Sequence, residues 1–173
     1  MLIFLIGFMG SGKSTTGRLL ARDLSFGFAD IDNLLEEREG MAVTEIFARK
    51  GEEYFRKAES EILDAILGFE RTVVACGGGT PCFHDNMRKM KEAGITVYLK
   101  VPPDILARRL SGGGRARPLI AGMKGARLNN HIRRLLAGRE GWYRQSDIVF
   151  NSAESGTAEL FSLLRPYLEQ QGR

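Results

Sequence analysis

Cysteine is scarce in this chain, with two residues among 173. Cys76 and Cys82 flank a Gly-Gly-Gly-Thr-Pro turn, and neither has a second Cys or a His at the spacing of a zinc site. The sequence therefore favours two reduced thiols over a disulfide scaffold or a zinc-stabilised fold.

Long apolar runs, internal repeats and low-complexity tracts are also missing. The opening apolar run of residues 2–9 has no preceding basic residues, is too short to span a bilayer and leads into a glycine-rich loop. We therefore expect a first β-strand here rather than a signal peptide, no membrane association and a cytoplasmic location.

Acidic residues are outnumbered by Lys and Arg, 21 against 25. Most of the excess is Arg between Arg108 and Arg144, which favours anionic ligands. Nucleic acid would suit that charge, but stacking aromatics do not alternate with the basic residues and no nucleic-acid-binding motif is present. We therefore expect a small anionic ligand and no nucleic acid.

Short apolar segments alternate with helical segments, which is typical of right-handed βαβ units around a parallel sheet. A chain of 173 residues suits one domain. The predicted fold class is α/β, a three-layer α/β/α domain over residues 1–173 with a five-stranded parallel sheet. The predicted strands cover residues 2–6, 26–31, 72–76, 95–99 and 147–150. The predicted helices cover residues 13–24, 33–39, 43–67 with a break near Gly51, 85–93, 103–110, 126–146 and 157–170.

Two segments interrupt this alternation. Residues 32–67 are long enough to form a helical flap over the sheet edge. Residues 111–123 begin with glycines and carry Arg115 and Arg117, which predicts a mobile, basic lid with a hinge from Ser111 to Gly114. The alternative for this second segment is a solvated connection without a function.

A phosphate-binding motif follows the first predicted strand. Residues 7–14, Gly-Phe-Met-Gly-Ser-Gly-Lys-Ser, match the P-loop pattern between a buried strand and a helix. Such a loop surrounds a phosphate with backbone N–H donors at the positive end of a helix. Lys13 is expected to reach the β- and γ-phosphates of ATP, and the Ser14 hydroxyl to ligate Mg²⁺. The predicted nucleotide-binding residues here are Gly10, Ser11, Gly12, Lys13, Ser14 and Thr15.

The rest of the chain narrows the class of P-loop protein. The D-x-x-G and N-K-x-D motifs of GTPases are absent, and a motor or helicase would be longer. The length is that of a kinase for small metabolites or nucleotides, so the acceptor pocket decides the substrate.

Asp30 and Asp32 follow the weak second strand, and strand alternation would point both carboxylates the same way, beside the P-loop. One carboxylate is suited to face a metal through water, and the other to bind an acceptor hydroxyl. The alternative for Asp32 is a helix N-cap.

Two further candidates have simple structural alternatives. Arg56 and Glu59 lie one helical turn apart, where a surface ion pair is the commoner arrangement. Gly77, Gly78 and Gly79 follow a buried strand and would let a flat ring lie against bare backbone, although a loop with tight turns has the same composition.

In this order, the motifs resemble those of the shikimate kinase family. The resemblance runs from Gly7 to Tyr143. It comprises the loop of residues 7–18, the D-x-D at residues 30–32, the G-E-x-x-F-R-x-x-E at residues 51–59, the triple glycine, the R-P-L at residues 117–119, and the R-x-x-x-Y at residues 139–143.

The resemblance implies a strand order of 2-3-1-4-5 and a role for each site residue. Lys13, Asp32 and Arg117 would be catalytic, Asp30 would help Ser14 to hold Mg²⁺, and Glu59 would orient Arg56. The residues implied to bind shikimate are Asp32, Arg56, Gly78, Gly79 and Arg139. The further residues implied to contact ATP are Arg109, Arg117 and Asn151.

Two departures from the family pattern and several alternatives accompany this interpretation. Glu140-Gly141-Trp142 replaces the usual x-P-L before Tyr143, which questions the placement of Arg139, and Cys76 stands where a hydroxyl residue is common. The alternatives are a gluconate-type kinase, a nucleoside monophosphate kinase, or a nucleotide-binding regulator without transfer activity. We expect a monomer whose partners are ATP and shikimate.

Overall fold

Five parallel strands form one sheet in the order β2-β3-β1-β4-β5, in a computed structural model that describes residues 1–112 and 117–170. The strands are β1 Leu2–Ile6, β2 Gly27–Asp30, β3 Thr72–Ala75, β4 Gly94–Lys100 and β5 Ile148–Asn151. Every neighbouring pair is parallel. The predicted fold class and the strand order implied by the family resemblance are therefore confirmed.

Seven α-helices lie within the described ranges, and two short 3₁₀ helices cover Thr80–Cys82 and Pro118–Ile120. The helices are α1 Lys13–Leu24, α2 Ile31–Glu39, α3 Val43–Ile66, α4 Asn86–Ala93, α5 Pro103–Ser111, α6 Gly125–Tyr143 and α7 Thr157–Gln170. Gly51 interrupts α3 with φ 81° and ψ 170°, which confirms the predicted break. The hinge residues Gly113 and Gly114, and Arg115 of the lid, lie outside the described residues.

The central strand β1 is buried on both faces, which explains its uninterrupted apolar sequence. Leu2, Phe4 and Ile6 belong to a core shared with α3, α4, α5 and α6. Ile3 and Leu5 belong to a second core, shared with α1 and α7. Two packed layers thus fix β1, so the loop that follows it starts from a rigid position.

None of the helices in the described ranges has the length and apolar content needed to cross a membrane.

Candidate active site

The loop between β1 and α1 forms one wall of a cavity of about 360 Å³, which we call the P-loop cavity. Gly7, Gly10 and Gly12 have φ values of 142°, 81° and 96°, a region that L side chains rarely adopt. These glycines let the backbone turn tightly into α1, whose N-terminal end faces the cavity. Five of the six residues predicted to bind the nucleotide line this wall: Gly10, Gly12, Lys13, Ser14 and Thr15.

Ser11 occupies a different position from its neighbours. It is 2% exposed, its backbone N–H donates to Phe8 O at 3.1 Å, and its hydroxyl finds no partner among the described residues. The structure therefore places Ser11 beneath the loop, and its predicted contact with a nucleotide stays a prediction.

Lys13 lies along the inside of this loop. Its Nζ donates to Gly7 O at 2.9 Å and to Phe8 O at 3.0 Å. Burial, assisted by the nearby positive charge of Arg117, lowers the pKa of Lys13 to about 8. The ammonium is therefore pre-positioned but poorly solvated, and a bound polyphosphate would stabilise its charge.

Asp30 ends β2 and caps α2. Its Oδ1 accepts from the backbone N–H of Asp32 at 3.1 Å and of Asn33 at 3.4 Å, while Oδ2 accepts from the Ser14 hydroxyl at 2.6 Å. The strand-alternation argument for Asp30 and Asp32 was therefore wrong, because α2 begins at Ile31 and Asp32 lies in its first turn. The N-cap is Asp30, not Asp32.

Ser14 and Asp30 together fit a hard divalent cation. A hydroxyl and a carboxylate face the P-loop cavity side by side, and oxygen ligands of this kind hold Mg²⁺ alongside phosphate oxygens and water. The described residues contain no cluster of three or more His, Cys, Asp or Glu that would form a metal cage without phosphates.

Asp32 lies where the P-loop cavity meets a second one, the acceptor cavity. Asp32 and Arg117 line both, and Arg117 Nη1 lies 3.5 Å from Asp32 Oδ2. The other polar walls of the acceptor cavity come from Arg56, Glu59 and Arg139, with Gly77, Gly78 and Gly79 as its floor. The structure thus brings together all the residues predicted to bind the acceptor.

Arg56 is a buried residue of α3, with a side chain 5% exposed. Nη1 donates to Glu59 Oε2 at 2.9 Å and Nη2 to Glu52 Oε1 at 3.0 Å. The guanidinium also lies 4.7 Å from the ring centroid of Phe83. The surface ion pair expected for Arg56 and Glu59 in isolation was wrong, because the side chain of Glu59 is only 1% exposed.

The triple glycine makes room for this pair. A Cβ at Gly79 would lie 2.6 Å from Arg56 Cζ, and one at Gly77 would overlap the Glu59 carboxylate. Gly78 is less crowded, although a Cβ there would still lie 3.3 Å from Met9 N and 3.5 Å from Arg139 Nη1. The lack of side chains at Gly77 and Gly79 therefore leaves room for the Arg56–Glu59 pair. It also exposes backbone to the acceptor cavity.

Arg139 reaches the acceptor cavity from α6, which continues unbroken through Gly141 and Trp142 to Tyr143. The Tyr143 hydroxyl donates to Gly78 O, and burial raises the pKa of Tyr143. This bond ties the end of α6 to the glycine floor, and Arg139 lines the acceptor cavity although the residues that follow it depart from the family pattern.

Two of the residues implied to contact ATP, Arg109 and Asn151, lie apart. Arg109 Nη1 donates to Gly10 O at 3.1 Å, beside the P-loop. Asn151 instead lines a separate cavity of about 430 Å³ with Tyr98 and Lys100. The neighbouring Ser152 hydroxyl donates to Ser11 O at 3.5 Å, so Ser152 contacts the P-loop although Asn151 lines another cavity.

Arg18 was missed by sequence reasoning. It lines the P-loop cavity, and its guanidinium lies 4.8 Å from the Phe28 ring centroid. Arg18 follows Ser14 by four residues in α1, so helical spacing was a usable signal. Thr80 was missed too, since nothing local shows that it bonds to Glu59.

Comparison with known proteins places this geometry among known kinases. The family model described as shikimate kinase matches residues 9–168. A shikimate kinase from Bacteroides thetaiotaomicron is 42% identical over 152 residues, which are 88% of this chain and 87% of that protein.

Solved structures agree with this match. A crystal structure of shikimate kinase from Bacteroides thetaiotaomicron superposes with a TM-score of 0.89 at 39% identity and covers 98% of both chains. Shikimate kinase from Acinetobacter baumannii in complex with shikimate has a TM-score of 0.88 at 30% identity, over 99% of this chain and 95% of that one.

Proposed function

This chain belongs to the shikimate kinase family, and from that premise we propose that it transfers the γ-phosphate of ATP to the 3-hydroxyl of shikimate. The products are ADP and shikimate 3-phosphate. The single observation that carries this proposal is the junction of the two cavities at Asp32 and Arg117. A phosphate donor in one cavity and a carboxylate-bearing acceptor in the other would meet at that junction.

The acceptor is recognised by charge and shape. Arg56 and Arg139 line the acceptor cavity, and guanidinium groups bind carboxylates through paired hydrogen bonds. The cavity measures about 50 Å³, small beside the roughly 300–1,000 Å³ of most ligand pockets. We infer that the flap or the segment after Arg117 moves outward to admit the ring.

Phosphoryl transfer passes through a loose transition state, so positioning and charge neutralisation dominate catalysis. Lys13 follows the β- and γ-phosphates from inside the loop, and Arg117 approaches the transferring group from the junction. Asp32 orients the acceptor hydroxyl and accepts its proton. A base contributes less here than the arrangement of charge.

Ser14 and Asp30 would hold Mg²⁺ in this scheme. The ion would neutralise charge on the phosphate oxygens of ATP. Asp30 can hold the ion and cap α2 at the same time, because its Oδ1 accepts from the backbone of α2 while its Oδ2 faces Ser14. Loss of the Asp30 carboxylate would therefore weaken both the metal site and the start of α2.

Four further expectations complete the proposal. We place the enzyme in the cytoplasm, as a monomer, with ATP and shikimate as its partners and no affinity for nucleic acid. Both cysteines are free thiols, which agrees with a reducing compartment.

The test compares acceptors. ADP release is measured with ATP and Mg²⁺ against shikimate, gluconate and nucleoside monophosphates in parallel. We expect turnover with shikimate and background release with the others. Turnover with gluconate alone would favour the gluconate-type kinase, and ATP binding without transfer to any of these acceptors would favour a regulator.

A further inference from the structure

A line of buried polar side chains leads from the acceptor cavity to α4. Glu59 Oε2 accepts from Arg56 Nη1 at 2.9 Å, and Glu59 Oε1 accepts from the Thr80 hydroxyl. Glu59 is 1% exposed and Thr80 is 0% exposed. Each oxygen of this carboxylate therefore has its own donor: a cavity arginine on one side and a solvent-inaccessible hydroxyl on the other.

Asn86 continues the line beyond Thr80. Its Nδ2 donates to Thr80 O at 3.0 Å, its Oδ1 accepts from the Ser60 hydroxyl at 2.7 Å, and its exposure is 0%. Lys89 Nζ lies 3.3 Å from the same Ser60 hydroxyl. These bonds join α3, α4 and the 3₁₀ turn at Thr80, so Asn86 holds the Thr80 backbone while the Thr80 hydroxyl bonds to Glu59.

Glu59 has little freedom to find another partner. The position of a Cβ at Gly77 overlaps Glu59 Oε1 and lies 3.0 Å from Thr80 Oγ1, which shows how closely backbone surrounds this contact. A buried carboxylate oxygen that loses its donor stays unsatisfied, at a cost larger than the net value of the bond itself. Removing the Thr80 hydroxyl would therefore disturb the carboxylate that orients Arg56.

We propose that Thr80, held by Asn86, is a positioning residue for the acceptor: its hydroxyl fixes Glu59, and Glu59 fixes the Arg56 guanidinium for the acceptor carboxylate. The proposal rests on the proposed function, in which Arg56 binds that carboxylate. Thr80 itself does not line the acceptor cavity, so it acts through Glu59 alone.

A pH dependence follows from the same contacts. Burial raises the pKa of Glu59, whereas the charge of Arg56 and the hydrogen bond from Thr80 lower it. The other titratable groups facing Glu59 are Asp32, whose charge raises that pKa, and the thiols of Cys76 and Cys82, which burial keeps neutral. Loss of the Thr80 hydroxyl would raise the pKa of Glu59 further, so the carboxylate protonates at a higher pH, and Arg56 is then left with Glu52 as its charged partner on α3.

The test uses the full chain with Thr80→Val, which removes the hydroxyl and keeps the shape. We expect KM for shikimate to rise by about tenfold, with KM for ATP within about twofold. The rise in KM for shikimate on acidification should begin at a higher pH than in the unchanged enzyme. Thr80→Ser restores a hydroxyl, so KM for shikimate and the pH at which it begins to rise should return to those of the unchanged enzyme.

Thr96→Val is the matched control. Thr96 is also 0% exposed, its hydroxyl donates to the Asp147 carboxylate at 2.7 Å, and it does not line the acceptor cavity. It should lower stability and leave KM for shikimate unchanged. Equal kinetic changes in Thr80→Val and Thr96→Val would overturn the proposal, because they would indicate a purely structural role.

The outcomes separate this inference from the proposed function. Absence of transfer to shikimate by the unchanged chain contradicts the function, whereas normal transfer with an unaltered KM in Thr80→Val contradicts only the positioning role. If Thr80→Val does not fold, Thr80→Ala is measured in the same way. Failure of both variants to fold while Thr80→Ser folds would assign the hydroxyl to stability and overturn the proposal.

Discussion

Lys13 shows how one buried charge links binding to pH. Its pKa lies near 8 in the ligand-free protein, below the usual 10.5, because burial disfavours the ammonium and Arg117 repels it. Bound phosphates favour the charged form, so ATP binding above about pH 8 should take up a proton and weaken as pH rises. Calorimetry of ATP binding at about pH 8.5, in buffers of different ionisation enthalpy, measures that uptake.

Lys13→Arg is the control for this proton uptake, since a guanidinium stays charged throughout the range. Uptake that persists in Lys13→Arg would assign the proton to another group. The same depressed pKa predicts that the ligand-free protein gains stability between about pH 8 and 10.5, because the unfolded chain binds the proton more tightly there.

Asp32 offers a second test at the scale of a residue. Asp32→Asn keeps the shape and removes the charge that we propose orients the acceptor hydroxyl, so kcat/KM for shikimate should fall by about 10²–10⁴ with ATP affinity little changed. Asp30→Asn is the matched comparison and should weaken Mg²⁺-dependent ATP binding instead, because its carboxylate bonds to Ser14. A similar loss of ATP affinity in both variants would mean that Asp32 belongs to the metal site.

At the scale of elements, the sequence predicts the strands and helices well and the tertiary contacts between them poorly. The buried strands and the break at Gly51 follow from apolar patterning and glycine chemistry, which are local properties. The burial of Arg56 with Glu59 depends on α3 packing over the glycine floor, which no local pattern records. Capping by Asp30 was missed because strand and helix meet there without a loop.

The break in α3 carries a prediction of its own. Gly51 has φ 81° and ψ 170°, a conformation almost confined to glycine, so Gly51→Ala should cost about 1–3 kcal/mol of stability in urea unfolding. The segment before the break supplies Val43 and Phe47 to the acceptor cavity. KM for shikimate should therefore rise as this segment shifts.

Gly138→Ala in α6 is the matched control for Gly51→Ala. Gly138 is helical without a positive φ, and nothing among the described residues lies within 4 Å of its missing Cβ. The substitution should stabilise the protein by about 0.5–1 kcal/mol and leave KM unchanged. A neutral effect of Gly51→Ala on both measurements would show that the flap tolerates a continuous helix.

The whole molecule is arranged around one edge of the sheet. β1 and β3 end at the P-loop and at the triple glycine, and β2 ends at the cap of α2, so three parallel strands deliver both cavities to the same edge. Arg117, which precedes the 3₁₀ helix at Pro118–Ile120, lies at the junction beside Asp32. Arg117 therefore lines both cavities.

Arg117 allows binding and chemistry to be separated for the molecule as a whole. It lies 3.5 Å from Asp32 and influences the pKa of Lys13, so its charge acts on both sides of the junction. An arginine that approaches the transferring phosphoryl group acts mainly on the transition state. Arg117→Ala should lower kcat by at least about 10², while the Kd for ATP changes by less than about tenfold.

Arg127→Ala removes the same charge from an exposed position of α6 that lines neither cavity, and it should leave kcat unchanged. Single-turnover measurements with both substrates saturating separate the chemical step from product release for the two variants. If kcat falls in Arg117→Ala but not in Arg127→Ala, the effect belongs to the junction, because the net charge changes equally in the two variants. A wild-type kcat in Arg117→Ala would mean that residues 111–123 serve only to connect α5 with α6.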